Sequence, residues 1–138
     1  VVVKIIICID DSGGILFNHR RVSRDRAIVE WITKHLSSKK LWMRCYSEEL
    51  FQDYSNRNVS EDYLKEAGED EDCFVEDDLS GDEDRISEII LCRWNRNYPS
   101  DVKFNLSILD ENWTCELLDE IEGSSHKKIT IERWERRC

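Results

Sequence analysis

The chain opens on a run of apolar, mostly β-branched residues, Val1 to Ile9, broken only by Lys4 and closed by Asp10-Asp11. A short continuous apolar run of this kind predicts a strand buried on both faces, as central parallel strands are. Ser12-Gly13-Gly14 then interrupts regular structure, and Ile15 to Val22 is a mixed stretch rich in basic residues. The next pattern has a helical period. Ile28, Trp31, Ile32, His35 and Leu36 recur at i, i+3, i+4, i+7 and i+8, which predicts a helix capped by Ser23 and running to Leu36. Asp25 falls in its first turn, where a carboxylate suits the helix dipole.

Leu41 to Tyr46 predicts a second strand. Ser47 is placed to cap a short helix through Phe51, and Ser60 another that stops at Gly68. Ile86 to Trp94, Val102 to Leu109 and Trp113 to Leu118 predict further strands, the second with Val102, Phe104, Leu106 and Ile108 on one face. Gly123-Ser124-Ser125 turns the chain, and Lys127 to Trp134 alternates around Ile129 and Ile131 as an edge or closing strand. This order of elements predicts an α/β fold with a β-rich tail.

Composition narrows the picture. A length of 138 residues predicts one domain, 1–138. With 20 Lys+Arg against 30 Asp+Glu the net charge is −10, which argues against nonspecific binding to nucleic acid or to an anionic membrane. The acidity is concentrated in residues 66–84, expected to be a loop-rich surface segment with a short strand at Cys73-Phe74-Val75. Its carboxylates lack the spacing of a calcium loop. The cysteines, Cys8, Cys45, Cys73, Cys92, Cys115 and Cys138, form no C-x-x-C pair, so they are expected as reduced core thiols rather than zinc ligands. No apolar run approaches the roughly 20 residues of a membrane helix, and no leader segment is visible, so the cytoplasm is the expected compartment.

The residues with candidate chemistry are His19, Arg20, Arg21, Arg24 and Arg26, basic side chains gathered in an acidic chain. They fit either an anion site, because Arg offers a planar fork, or internal pairing with the acidic segment. Asp25 among these arginines is expected to have its charged form favoured.

Several passages, taken in order, resemble dihydrofolate reductase. Lys4 to Asp10 followed by Gly13-Gly14-Ile15 resembles that family's first strand and active-site loop. Ser23-Arg24-Asp25-Arg26 resembles its acidic helix start, and Leu41 to Ser47 its second strand and following helix. Ile89-Ile90-Leu91, Tyr98 to Asp101, Phe104, Trp113 and His126 to Arg137 follow its C-terminal order. The resemblance implies a dihydrofolate-reductase-like mixed central sheet with flanking helices, abbreviated in the middle. It implies that Asp25 is the catalytic acid, that Asn18, Arg20, Arg21 and Asp25 line the ligand cleft, and that Arg44 and Ser47 lie at the NADPH phosphates.

Two departures weigh against the cofactor. No glycine precedes Arg44, and Glu76-Asp77-Asp78 stands where the family has a glycine turn for phosphate. Carboxylates there repel a pyrophosphate. The expectation is therefore a degenerate, non-enzymatic reductase-fold protein without cofactor, binding a small anionic ligand or a protein partner. The alternative is an NADPH-dependent reductase. The strings Asp10 to Gly14, Phe17 to Arg21 and Arg93 to Pro99 also resemble short bacterial proteins sometimes labelled ribonuclease Z. Nucleases of that name need an H-x-H-x-D-H cluster for two zinc ions. His19, His35 and His126 have no such spacing, so neither metal nor RNA cleavage is expected.

Overall fold

The structure is a computed structural model that describes residues 2–137. Val1, predicted in the first strand, and Cys138, predicted as a core thiol, lie outside the described residues. The apolar run forms β1 (Val3–Ile9), flanked by two parallel neighbours, β6 (Asp72–Val75) and β7 (Ile86–Arg93). Outward from β6 lie β4 (Leu41–Met43) and β5 (Arg57–Val59), both parallel. Outward from β7 lie β10 (Ile129–Arg136) and β9 (Trp113–Ile121), both antiparallel. The sheet order is β5-β4-β6-β1-β7-β10-β9, a mixed sheet with β1 at its centre.

That central place explains the sequence of β1. Ile5, Ile6, Ile7 and Ile9 are wholly buried because both faces are covered; such burial stabilises by about 1.5–3 kcal/mol per side chain. One face packs Ile6, Phe74 and Ile90 against Ile28, Ile32 and Leu36 of α1 (Arg26–Leu36). The other packs Ile5, Ile7 and Ile9 against Tyr63, Leu79, Phe104 and Trp113.

The structure corrects several boundaries. The N-cap of α1 is Asp25, whose Oδ1 accepts from the Ala27 N–H at 2.9 Å, and not Ser23. Asp25 thus precedes the first turn. Only Leu41–Met43 of the second strand is regular, and a 3-10 turn starts at Cys45, ahead of Ser47. The helix after Ser60 is the single turn α2 (Tyr63–Glu66). Val102 to Leu109 keeps strand pairing only at β8 (Val102–Lys103) before a 3-10 turn at Leu106–Ile108, where the Asn105 side chain accepts from the Ser107 N–H. The basic stretch is a hairpin, β2 (Gly14–Phe17) and β3 (Arg20–Arg21), which joins β8 in a small second sheet. Asn18 and His19 form its turn with φ of 51° and 65°, the left-handed pair that a two-residue hairpin loop requires. β10 is interior rather than an edge, because β9 covers it. The acidic segment is not all surface: β6 is buried along its length, as are Glu76 and Leu79. Cys73 and Cys92 are core thiols as expected, whereas Cys45 and Cys115 are exposed.

Asp72 sets the pH response of the sheet. Burial first, then the neighbouring Glu88 charge, push its carboxyl up from 3.8 to about 6, against the pull of Lys4 and Lys39. Between those two values the native chain holds a proton that the unfolded chain releases, so stability falls as pH rises through that window. Asp72→Asn removes the penalty. We expect it to add about 2–3 kcal/mol at neutral pH and nothing below about pH 3.5, read from urea unfolding at both pH values.

Candidate functional site

The carboxyl ends of β1, β6 and β7 meet the N-terminus of α1, and open sheets of this kind bind ligands at that edge. A narrow pocket lies there, about 20 Å³ in its interior and opening to solvent at its mouth. Its walls are largely apolar, with Ile28, Val29 and Ile32 from α1 facing Phe74, Val75 and Trp94. Its polar lining includes Arg21, Ser23, Arg24 and Glu76.

Asp25 anchors one side. Its side chain is fully buried and is held by groups from the loop before β10. Oδ1 accepts from the Ser124 N–H at 2.8 Å besides the helix amide of Ala27. Oδ2 accepts from the Ser125 N–H at 2.8 Å and pairs with His126 Nδ1 at 2.9 Å. Burial opposes the charge of Asp25, but the His126 hydrogen bond and the Ser125, Ser124 and Ala27 amides outweigh it and hold the carboxyl well below its usual range. The direction is the one expected from the sequence, and the cause is different: a histidine and backbone amides, not arginines. Asp25, expected as an acid and ligand acceptor, borders the cleft, and both of its oxygens are engaged by the protein's own donors. Gly123 is fixed by the same carboxylate, since a methyl group on it would stand 2.5 Å from Asp25 Oδ2.

His126 extends the network into the cleft wall. Its Nε2 lies 2.9 Å from the Tyr98 hydroxyl and 3.0 Å from Ser23 Oγ. Trp94 stacks on the imidazole with ring centroids 4.6 Å apart. A second carboxylate, Asp10, ties the same region together. Its Oδ1 accepts from the Ser12 and Gly14 amides at 2.9 and 2.6 Å, and its Oδ2 from the Tyr98 amide at 3.0 Å. Burial again opposes its charge, and the Gly14, Tyr98 and Ser12 N–H groups lower its pKa overall.

Glu76 occupies the other side, directly after β6. Arg21 Nε donates to its Oε2 at 2.7 Å and Arg21 Nη2 to its Oε1 at 3.1 Å, with both side chains under a tenth exposed. Arg21 Nη1 also pairs with Glu49 at 2.5 Å, and its guanidinium lies over the Tyr46 ring. Ser47 Oγ donates to Glu76 Oε1 at 2.8 Å, and Arg44 Nη2 to the Glu76 carbonyl at 2.5 Å. The structure therefore brings Arg21, Arg44 and Ser47 together, but around a carboxylate of the chain itself. Arg21 is an internal ion-pair partner rather than a free anion donor. Arg44 Nη2 and Ser47 Oγ, expected at cofactor phosphates, donate to Glu76, while Arg44 Nε is buried without a partner. Asn18 and Arg20 are exposed on the hairpin and do not line the cleft, because the tight turn carries them away.

Sequence reasoning missed His126, Tyr98 and Trp94 as site residues. A lone histidine after Gly-Ser-Ser has no local signature, and its acidic partner is 101 positions away. Arg24, counted only as part of the basic cluster, is the exposed arginine that borders the cleft.

No protein-family model matches the chain, and no curated protein matches it. Among solved structures it is similar to a dihydrofolate reductase from Enterococcus faecalis complexed with NADP(H) and RAB-propyl, with a TM-score of 0.70, covering 99% of this chain and 97% of that one. This is the dihydrofolate reductase fold. The likeness is one of backbone, since only 11% of residues are identical. Among the described residues no group of three or more His, Cys, Asp or Glu is placed to hold a metal ion. No helix among them is long and apolar enough to cross a membrane.

Two stability measurements check this geometry. Asp25→Asn should cost about 1.5–3 kcal/mol at neutral pH by weakening the charge-assisted hydrogen bonds from His126 and the backbone amides. Because the folded carboxyl titrates below 3.8, its stabilisation is present above that value and is lost as the pH falls further, so wild type and variant should converge in acid. Arg21→Gln should destabilise more than the double variant Arg21→Gln, Glu76→Gln, because the single change strands a buried carboxylate.

Proposed function

We propose that this protein binds a small molecule with a flat apolar body and an anionic end, and that it does so without a nicotinamide cofactor. The observation that carries this reading is the cleft: apolar walls from α1 and β6, the indole of Trp94 on one side, and the exposed Arg24 at its border. Pockets of this make-up, mostly apolar with a few fixed polar groups, are the usual sites for small ligands. Arg24 takes the part expected of Arg20 and Arg21, and its fork suits a carboxylate or phosphate.

The alternative, NADPH-dependent reduction, is raised by the fold, and a fold does not fix an activity. Glu76 speaks against it. Arg21 and Ser47 are engaged by a buried carboxylate, and bringing a pyrophosphate beside that carboxylate is repulsive.

Titration by tryptophan fluorescence tests the reading, since Trp94 lines the cleft. We expect aryl carboxylates and aryl phosphates to quench the emission saturably, and Arg24→Ala to weaken binding about tenfold or more. NADPH should produce no saturable change. Saturable NADPH binding with oxidation of the cofactor by dihydrofolate would overturn the proposal in favour of the reductase.

A further inference from the structure

We propose that Ser23 is a nucleophile activated by His126 and oriented by Asp25, and that the cleft accepts small esters for acyl transfer to water. The inference rests on the reading of the cleft as a ligand site and adds a reaction to it. Ser23 Oγ, His126 Nε2, His126 Nδ1 and Asp25 Oδ2 form a continuous chain, with spacings of 3.0 Å and 2.9 Å across its two hydrogen bonds. The sequence of groups is that of a serine–histidine–aspartate relay, an arrangement recognised by geometry and not by fold or residue order.

The protonation states follow from the surroundings. Asp25 is an ionised acceptor, so Nδ1 carries the proton that bonds to it; in the neutral imidazole Nε2 is then the acceptor, facing the Ser23 and Tyr98 hydroxyls. The carboxylate cannot turn away, because the Ala27, Ser124 and Ser125 amides hold both of its oxygens. The imidazole cannot tilt, because Trp94 stacks on it at an interplanar angle of 21°. Asp25 and His126 are sealed, with side chains 0% and 1% exposed, whereas Ser23 is half-buried and lines the cleft. Such a gradient, a buried orienting acid, a buried base and an accessible hydroxyl, is what nucleophilic catalysis by serine needs.

The step balances without any redox partner. Ser23 Oγ attacks the carbonyl carbon of the ester, forming a C–O bond, while its proton passes to His126 Nε2. The leaving alcohol or phenol departs with its C–O bond broken and takes that proton. Water then attacks the acyl-Ser23 carbonyl, gives a proton to Nε2, and releases the carboxylic acid as the serine hydroxyl re-forms. The walls of the cleft select a substrate with an apolar body, and Arg24 favours one with an anionic end. Tyr98 shares Nε2 with Ser23, its hydroxyl lying 2.9 Å from that nitrogen and 3.3 Å from Ser23 Oγ. Removing that hydroxyl leaves the imidazole to Ser23 alone.

An alkyl fluorophosphonate tests the assignment, because it forms an O–P bond with an activated serine and releases fluoride. With the intact native protein we expect one adduct by mass spectrometry, mapped to Ser23 by peptide sequencing and absent when the protein is labelled in urea. Ser23→Ala should abolish the adduct and the hydrolysis of 4-nitrophenyl acetate above the buffer rate, with an unchanged melting temperature. Tyr98→Phe should label faster than wild type, because the imidazole then faces Ser23 alone. The proposal is overturned if native Ser23 stays unlabelled, if the adduct sits on Tyr98 or another hydroxyl, or if unfolded protein labels equally fast. Saturable binding of aryl carboxylates without a Ser23 adduct would remove the acyl-transfer step and leave the cleft as a binding site. Loss of both results would remove the cleft reading as well.

Discussion

The buried carboxylate of Asp25 holds the functional edge of this protein together. It caps α1, the one long helix among the described residues, and at the same time gathers the amides of Ser124 and Ser125 and the imidazole of His126. The helix start and the loop leading into β10 are thereby locked to one another. Because β10 is hydrogen-bonded along β7, the second neighbour of β1, the carboxylate joins the N-terminal half of the fold to its last strand. The charge survives burial only because so many donors converge on it, the condition that any buried carboxylate must meet.

Asp10 and Glu76 repeat this solution at the ends of β1 and β6. Asp10 is satisfied by amides of its own loop and of Tyr98, and Glu76 by Arg21, Ser47 and the surrounding cluster. An acidic chain has thus placed carboxylates where parallel strands end, and then neutralised them internally. The consequence for ligand binding is direct. Arginines that a linear reading offers to an anion are split between two duties, with Arg21 consumed by Glu76 and Arg24 left at the border of the cleft. The fold is that of a dihydrofolate reductase, and the cluster around Glu76 sets a paired carboxylate directly after β6.

Much of the frame was legible along the chain. The isoleucine run of β1 announced a strand covered on both faces, and the spacing of Ile28, Ile32 and Leu36 announced the buried face of α1. These signals are local, set by the period of a strand or helix against a core. Errors fell where the chain departs from those periods: the 3-10 turn at Cys45–Leu50, the brief β8, and the hairpin of the basic stretch. In each, the apolar residues pack without regular spacing, so no periodicity marks the boundary.

The site divides the same way. Asp25 and the arginines could be picked out as candidates from residue type and neighbourhood alone, and the carboxylates of the 76–78 stretch could be seen to disfavour phosphate. Their partners could not. Whether Asp25 meets an arginine nearby or His126 across 101 positions, and whether Arg21 faces a ligand or Glu76 across 55, depends on which element ends the sheet brings together. The chain itself fixed the periodic elements and the charges available at their ends. The assembled sheet fixed which charge meets which, because a buried ion must be matched by whatever donors the packing delivers to it, however distant in sequence.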